Sequence, residues 1–512
     1  MNVSGTVHLH IVPGILREGG KTMLNLLKDE SNRSYMLTEN GAVTFASSGS
    51  FALDFFAAAG ALREADEAEI IVRFTRAFAE HPTYALRTLF YARDVRGGLG
   101  ERRLFRVLLR HLAAYAPAAL VKNLPLVPEF GRWDDLLALL GTPAEKGVLR
   151  LVHEQLASDL RADEEGAMVS LLAKWLPSVN TSSRAARAQA RSLAKLLGMR
   201  EAEYRRTLVR LRRRIALIEN ALRTKDYSFD YAKQPSKAMF KYRAAFLRND
   251  AERYGEFLGR VEHGEAELHT GTLYPYEIIR PLSAWGTPEL TPEEVRTLDV
   301  TWRVLPDYTH GENALVVLDG SGSMYDGGEP LPSSVALSLT VYFAERNTGA
   351  FQGHFITFSR SPQLVEIKGA DIAEKVRYCK TFCEVANTNL AAVFDLLLKT
   401  AVMNSLPQEE LPSVLYIITD MEFDACTEDA DMTNFERAKE LFADVGYELP
   451  RIVFWNVQSR SRQQPVKMNE QGVMLVSGCS PSIFSMIVES RITPYAYMEQ
   501  VLGSERYTGI EA

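Results

Sequence analysis

Cysteine is scarce in this chain: four in 512 residues, Cys379, Cys383, Cys426 and Cys479, all in the last third of the sequence. That scarcity excludes a disulfide-stapled scaffold. Cys379 and Cys383 sit four apart, but without a second such pair or a nearby His they make a poor zinc signature, so free buried thiols in a reducing compartment are expected. No apolar run approaches the roughly 18 residues that span a membrane. The first residues carry no basic stretch leading into an apolar core and a cleavage site, and a cytoplasmic location without membrane attachment is expected. The nine histidines, His354 among them, are scattered without a motif, and no nucleophile stands beside a paired base, so no enzyme is expected. Helix-turn-helix and zinc-finger patterns are absent as well, and no disorder-like tract stands out.

What is present is an ordinary globular composition, 46% hydrophobic and 24% charged, in a length that carries roughly two to four domains. The most informative stretch is Ala314 to Met324, ALVVLDGSGSM. Ala314 to Leu318 is an apolar, β-branched run that ends at Asp319 and two glycines, the pattern of a buried strand feeding a tight loop. Open α/β sheets bind ligands at such loops. Asp319, Ser321 and Ser323 offer a carboxylate and two hydroxyls, hard oxygen donors that suit Mg²⁺, Mn²⁺ or Ca²⁺ rather than zinc. Taken alone, this is equally a Gly/Ser-rich turn. Two further loops add to it: Asn387-Thr388-Asn389 precedes an apolar helix, and Val414 to Asp420, VLYIITD, is a second buried strand ending in an acid.

Strands are expected at Gly353–Phe358, Gln363–Ile367, Arg451–Val457 and Val473–Ser477. Helices are expected from Ser333-Ser334, taken as caps, through VALSLTVYFAE, then from Asp371, over Leu390–Thr400, over Thr433–Val445 and over Pro481–Ser490. Alternation of this kind implies parallel βαβ units in a doubly wound α/β fold. The boundary falls near Thr301, within the stretch between Trp285 and Pro306, giving domains of 1–300 and 301–512.

On these motifs the C-terminal part resembles a von Willebrand factor A domain. The resemblance implies that Asp319, Ser321, Ser323, Thr388 and Asp420 form a metal-ion-dependent adhesion site. It implies a divalent cation, Mg²⁺ first, held by the hydroxyls directly and by the acids often through water. One coordination position would be left for a partner protein's carboxylate.

Residues before about 300 read as all-helical. Glu67–Glu80, Thr83–Ala92, Glu101–Tyr115, Asp134–Leu140, Val148–Leu160 and Met168–Trp175 carry apolar residues at three and four spacing, broken by His81-Pro82, by Val95–Gly100 and by an apolar turn at Leu124–Trp133. Phe130 and Trp133 read as core. Successive helix pairs suggest a curved stack of HEAT-like repeats, although no fixed period is visible. YARDVRGGLGERRLFRVLLRHL (Tyr91–Leu112) and VPEFGRWDDLLALL (Val127–Leu140) resemble the TROVE module of Ro autoantigen proteins, and more closely a poorly characterised family joining such a module to an A domain. KWLPS at Lys174, Phe229–Asp250 and TLYPYEIIRP (Thr272–Pro281) continue the likeness. The resemblance implies a helical ring closed by the A domain, and binding of small or misfolded non-coding RNA. Whether this chain closes into a ring is left open, and a monomer is expected.

Charge points the same way independently. The chain is net −7, yet Arg184 to Arg248 holds 18 Lys/Arg against five acids, a local charge of +13 that leaves −20 for the remainder. Such a block is a candidate polyanion surface. Arg205, Arg206, Arg210, Arg213 and Arg214 form a stripe on one helix, joined by Lys237, Lys241 and Arg243, with Tyr227, Phe229, Tyr231, Phe240 and Tyr242 interleaved as stacking surfaces. A second basic locus, Arg93, Arg96, Arg102 and Arg103, flanks Gly97, Gly98 and Gly100, whose spacing matches no nucleotide-binding loop. The bland alternative is a solvated helix pairing with acidic neighbours. Two readings follow: a non-catalytic RNA-binding protein with a metal-dependent docking face, or a metal-dependent protein scaffold that binds no RNA.

Overall fold

Two three-residue strands, β1 (Tyr35–Leu37) and β2 (Val43–Phe45), pair antiparallel as a hairpin within the stretch expected to be all-helical. The computed structural model describes residues 35–215, 217–283, 289–359, 361–383, 388–424, 433–486 and 492–512. Residues 1–34, Asn387, Cys426, and the expected features at 284–288 and 487–490 lie outside that set.

Helices of eight or more residues follow the hairpin: α1 (Phe51–Ala58), α2 (Glu67–Glu80), α3 (Pro82–Arg93), α4 (Arg103–Tyr115), α5 (Glu145–Glu164), α6 (Arg184–Leu196), α7 (Glu201–Arg214), α8 (Ser236–Asn249), α9 (Ala251–Glu262), α10 (Pro275–Ser283) and α11 (Pro292–Arg303). Local chemistry sets their limits. Pro82 starts α3 where a missing N–H costs nothing, and the His81 ring Nδ1 accepts from the Tyr84 amide at 3.2 Å. The loop from α3 to α4 needs glycine at 98, because a Cβ there would lie 2.0 Å from the Tyr91 carbonyl oxygen. Three expected helices are shorter or tighter: Trp133–Leu139 and, of the Pro481–Ser490 stretch, Pro481–Met486 are 3₁₀ segments, and only Leu172–Trp175 of the Met168–Trp175 stretch is α-helical. Phe130 is buried, while Trp133 is half-buried against the core. Tyr231 packs with Phe246, Tyr254 and Phe257 in a separate small core. Its ring is therefore spent on folding rather than left for stacking on bases.

The C-terminal part is a mixed six-stranded sheet with helices on it. Strands β3 (Ala314–Asp319), β4 (His354–Phe358), β5 (Leu364–Glu366), β6 (Val414–Thr419), β7 (Arg451–Asn456) and β8 (Val473–Ser477) lie in the order β5-β4-β3-β6-β7-β8, all parallel except the β4–β5 pair. Helices α12 (Pro332–Arg346), α13 (Ile372–Lys380), α14 (Leu390–Met403), α15 (Asn434–Asp444) and α16 (Pro494–Leu502) complete the chain. Pro332 opens α12 after Leu331, so Ser333 and Ser334 lie in its first turn rather than capping it.

Burial on both faces explains why β3 and β6 read as unbroken apolar runs. Val316, Leu318, Tyr416 and Ile418 belong to a core shared with α12 and with the N-terminal helices, whereas Val317, Ile417 and Phe454 face α14 and α15. Each fully buried side chain of this size contributes about 1.5–3 kcal/mol. The first of these cores runs without a break from Ala52 to Ile510. Gly60, just after α1, approaches β8 so closely that a Cβ would sit 2.6 Å from the Ser477 carbonyl oxygen, and its amide donates to the Ser477 hydroxyl at 2.9 Å.

Among the described residues no helix is long and apolar enough to cross a membrane. Of the cysteines in that set, Cys379, Cys383 and Cys479 are free thiols, the first and last buried.

Candidate functional site

The chain crosses over between β3 and β6: β4 lies on one side of β3, and β6 on the other. That crossover is the position where doubly wound sheets open a crevice beyond their strand ends. Asp319 closes β3 and is 1% exposed; its Oδ1 accepts from the Ser321 amide at 2.9 Å and its Oδ2 from the Thr419 hydroxyl at 2.6 Å. The Ser321 and Ser323 hydroxyls lie 3.0 Å apart. Asp420 follows β6, is 1% exposed, and accepts from the Glu422 amide at 3.2 Å. Thr388 reaches the same loop, its carbonyl accepting from the Asp424 amide at 3.0 Å, and Asn389 caps α14. Three loops remote in sequence are thus tied together.

The electrostatics of the site are unbalanced. Burial, followed by the neighbouring Asp420 charge, pushes the Asp319 carboxyl up to about 7. Burial also raises Asp420, opposed by the Ser323 hydroxyl and the Arg460 charge. Asp420 Oδ2 and Thr388 Oγ1 are buried with no hydrogen-bond partner among the described residues. Two buried carboxylates and an orphaned hydroxyl, all hard oxygens, are a donor set that fits a divalent cation. No group of three His, Cys, Asp or Glu side chains converges among the described residues, so any ion there would lean on the hydroxyls.

Two residues that sequence reasoning missed belong to this rim. Arg460, after β7, donates from Nη2 to the Ser323 carbonyl at 2.6 Å and sets Nε 3.4 Å from Asp420 Oδ2. Glu422 is 1% exposed and accepts from the Glu39 amide of the hairpin loop at 2.8 Å. A signal for Glu422 existed, because Asp420, Glu422 and Asp424 alternate after the strand. Arg460 had none.

The basic residues divide. Arg93 is 1% exposed and locked to Asp135 by Nε and Nη2, each at 2.8 Å, so it is withdrawn from any ligand. On α7, Arg210 pairs with Asp163 at 2.5 Å and Arg214 with the same carboxylate at 3.3 Å, while Arg205, Arg206 and Arg213 are exposed without an ion pair among the described residues. The structure brings Arg102 and Arg103 together with Arg243. They line two adjoining cavities of about 680 and 570 Å³ that share Tyr276, Glu329 and Pro330. The rings of Tyr274 and Tyr276 stack there, with centroids 5.9 Å apart.

Beside this groove Lys237 lies 4.9 Å from the Tyr274 ring and pairs with Glu277, and within it Arg243 covers Phe240 at 4.1 Å. Arg103 donates to the Arg63 and Ala65 carbonyls, at 3.1 and 2.6 Å. The Arg102 side chain makes no hydrogen bond or ion pair among the described residues, nor does that of Arg96; Lys241 lies over its neighbour Tyr242. The groove thus joins aromatic rings to arginines. Glu64, Glu67, Glu101, Glu277 and Glu329 line it as well, and among the described residues Glu101, Glu67 and Glu329 pair with Arg63, Arg110 and Arg280 rather than with Arg102, Arg103 or Arg243.

The chain is similar to two domains of unknown function. Residues 38–150 and 181–307 match one, DUF2828, and residues 313–505 match the other, DUF7788. It is 28% identical over 504 residues to the uncharacterized protein L728 of Acanthamoeba polyphaga mimivirus, covering 91% of this chain and 86% of that one. The crystal structure of the Deinococcus radiodurans RO (RSR) protein aligns over 88% of this chain and 93% of its own, at 13% identity and a TM-score of 0.34, too distant to assign a fold.

Proposed function

We propose that this chain is a non-catalytic RNA-binding protein with a divalent-cation site for a second partner. Small non-coding RNA is the proposed ligand of the helical part, and a HEAT-like stack carrying an A-type domain from about residue 301 is the proposed architecture. The observation that carries the reading is the groove, where Arg102 and Arg103 line one cavity with the stacked Tyr274 and Tyr276, and Arg243 lines the adjoining one with Tyr276. Unpaired bases stack on aromatic faces while arginines follow the phosphates, and this pairing of features tolerates many sequences. The open face of α7, with Arg205, Arg206 and Arg213, would add attraction that is not sequence-specific.

In the sheet, Asp319, Ser321, Ser323, Thr388 and Asp420 would hold Mg²⁺, with Mn²⁺ or Ca²⁺ as alternatives. A bound ion would offer Lewis-acid attraction to a partner's carboxylate. The buried oxygens of Thr388 and Asp420 that accept no hydrogen bond among the described residues support this part of the reading.

The competing reading, a scaffold without RNA, draws on Arg210 and Arg214, whose charge is already matched by Asp163. Fluorescence anisotropy with structured and single-stranded RNAs at low salt decides between them. RNA binding predicts a salt-sensitive association that Arg102→Glu with Arg103→Glu weakens for every RNA, with each lost phosphate contact lowering the salt slope by about 0.7 on single strands. No association with any RNA at low salt leaves the scaffold.

A further inference from the structure

The residue at the candidate cation site that the donor set does not explain is Arg460. Its guanidinium stands where positive charge is wanted, yet it is loosely engaged. Nε and Asp420 Oδ2 face each other at 3.4 Å, and neither atom makes a hydrogen bond among the described residues. The other groups around it, Glu39 at 3.9 Å and Asp326 at 3.8 Å, are acidic and mostly exposed. One firm contact remains, to the Ser323 carbonyl at 2.6 Å, which holds the loop bearing Ser321 and Ser323.

The flanks of Arg460, by contrast, are pinned to the N-terminal helices. The Ser459 amide donates to the Ala61 carbonyl at 2.9 Å, and Arg73 on α2 donates to the Ser459 hydroxyl at 3.3 Å and to the Ser461 carbonyl at 2.8 Å. Arg462 pairs with Glu69 on α2, and Gln464 bridges to Phe45 of the hairpin. The segment 459–464 therefore touches the site through Arg460, with the Ser461 hydroxyl on Glu422 at 3.3 Å and Gln463 on the Met421 carbonyl at 2.8 Å beside it, and the helical part through Ser459, Ser461 and Arg462.

We propose that Arg460 is the internal rival of the divalent ion: it neutralises Asp420 when no ion is bound, and an ion must displace it, shifting segment 459–464 against α2 and the hairpin. This rests on the cation reading given above. Two like charges a few ångströms apart in a water-poor site repel strongly, so ion and guanidinium do not share Asp420 at full strength. The consequence is a cation affinity set below what the oxygens alone would give. Binding would also be reported directly to the helical part.

The test uses the full chain with Mn²⁺ as the probe. Isothermal titration compares wild type, Arg460→Gln, Arg460→Lys and Asp319→Ala, and amide hydrogen exchange follows residues 457–464 with and without Mn²⁺. Removing the charge should tighten Mn²⁺ binding on the order of tenfold, and the lysine variant should stay near wild type. Mn²⁺ should speed exchange in 457–464 of the wild type and leave that of Arg460→Gln unchanged. Equal affinity in wild type and Arg460→Gln overturns the proposal while sparing the cation reading, as does an equal gain in the lysine variant or exchange that ignores Mn²⁺. If neither wild type nor Arg460→Gln binds Mn²⁺, or if Asp319→Ala binds it as well as wild type does, the cation reading fails and the proposal falls with it.

Discussion

Arg93→Ala should unfold this protein more easily without touching a ligand. The Arg93 guanidinium is buried and gives two contacts of 2.8 Å to one oxygen of Asp135, which is itself fully buried. Breaking a buried ion pair from one side typically costs about 3–5 kcal/mol, because the surviving charge is stranded. Here Asp135 is not stranded entirely: Arg106 Nε still donates to Oδ1 at 2.6 Å and the Arg132 amide to Oδ2 at 3.0 Å. The cost should therefore fall near the lower limit, about 3 kcal/mol, or more than about a hundredfold in the folded to unfolded ratio. Arg93→Met, which keeps most of the side-chain volume, should recover part of it. Urea unfolding followed by circular dichroism reads the shift in midpoint, with Arg102→Ala as an exposed control expected within about 0.5 kcal/mol of wild type. Wild-type stability in Arg93→Ala combined with lost RNA affinity would refute the argument, since it would mean that this side chain serves a ligand.

Other consequences are as direct. The raised Asp319 carboxyl binds a proton in the folded state up to about pH 7 that the unfolded chain releases near pH 4; this group's share of stability is full at low pH and lost as pH climbs toward 7, so unfolding midpoints without divalent ion should fall over that range. Saturating Mg²⁺ should flatten the fall, and a pH-independent midpoint in metal-free buffer would contradict it. Tyr276→Ala should weaken single-stranded RNA by about 1–3 kcal/mol if bases stack there, as anisotropy would show. Asp94 is fully buried and accepts from Arg506, from the Tyr507 hydroxyl at 3.1 Å and from the Arg96 amide at 3.0 Å; Asp94→Ala should free the segment after α16 to limited proteolysis, and unchanged cleavage would show the anchor to be dispensable.

Legibility in the sequence followed the range of the interactions. The strands β3 and β6 and their terminal acids were plain because two-sided burial writes itself as a local apolar run. The periodicity on α3 also held a warning that went unread: Arg93 falls three and four positions after Phe90 and Leu89, both buried, on the stripe that faces the core. By contrast, β1 and β2 are three residues each, their loop contacts Phe423 and Glu422 and β2 contacts Gln464, all across more than 380 residues, so nothing nearby announces them. Arg460 is invisible for the same reason, its meaning depending on which loops the sheet order brings side by side. The groove lay half in view: both basic segments could be seen, but only the position of α10 sets Tyr276 between them.

The core that runs from Ala52 to Ile510 also has a history in time. During synthesis the helical part leaves the ribosome while β8, α16 and the segment holding Gln464 do not yet exist. Gly60, the hairpin and Asp94 then wait with their partners some 400 residues away. At about 5–20 residues per second that interval is tens of seconds, during which the face of α1 that will meet β8 stands open to water. A nascent chain stalled before residue 456 should for that reason be sticky and chaperone-dependent, and become inert once β8 arrives.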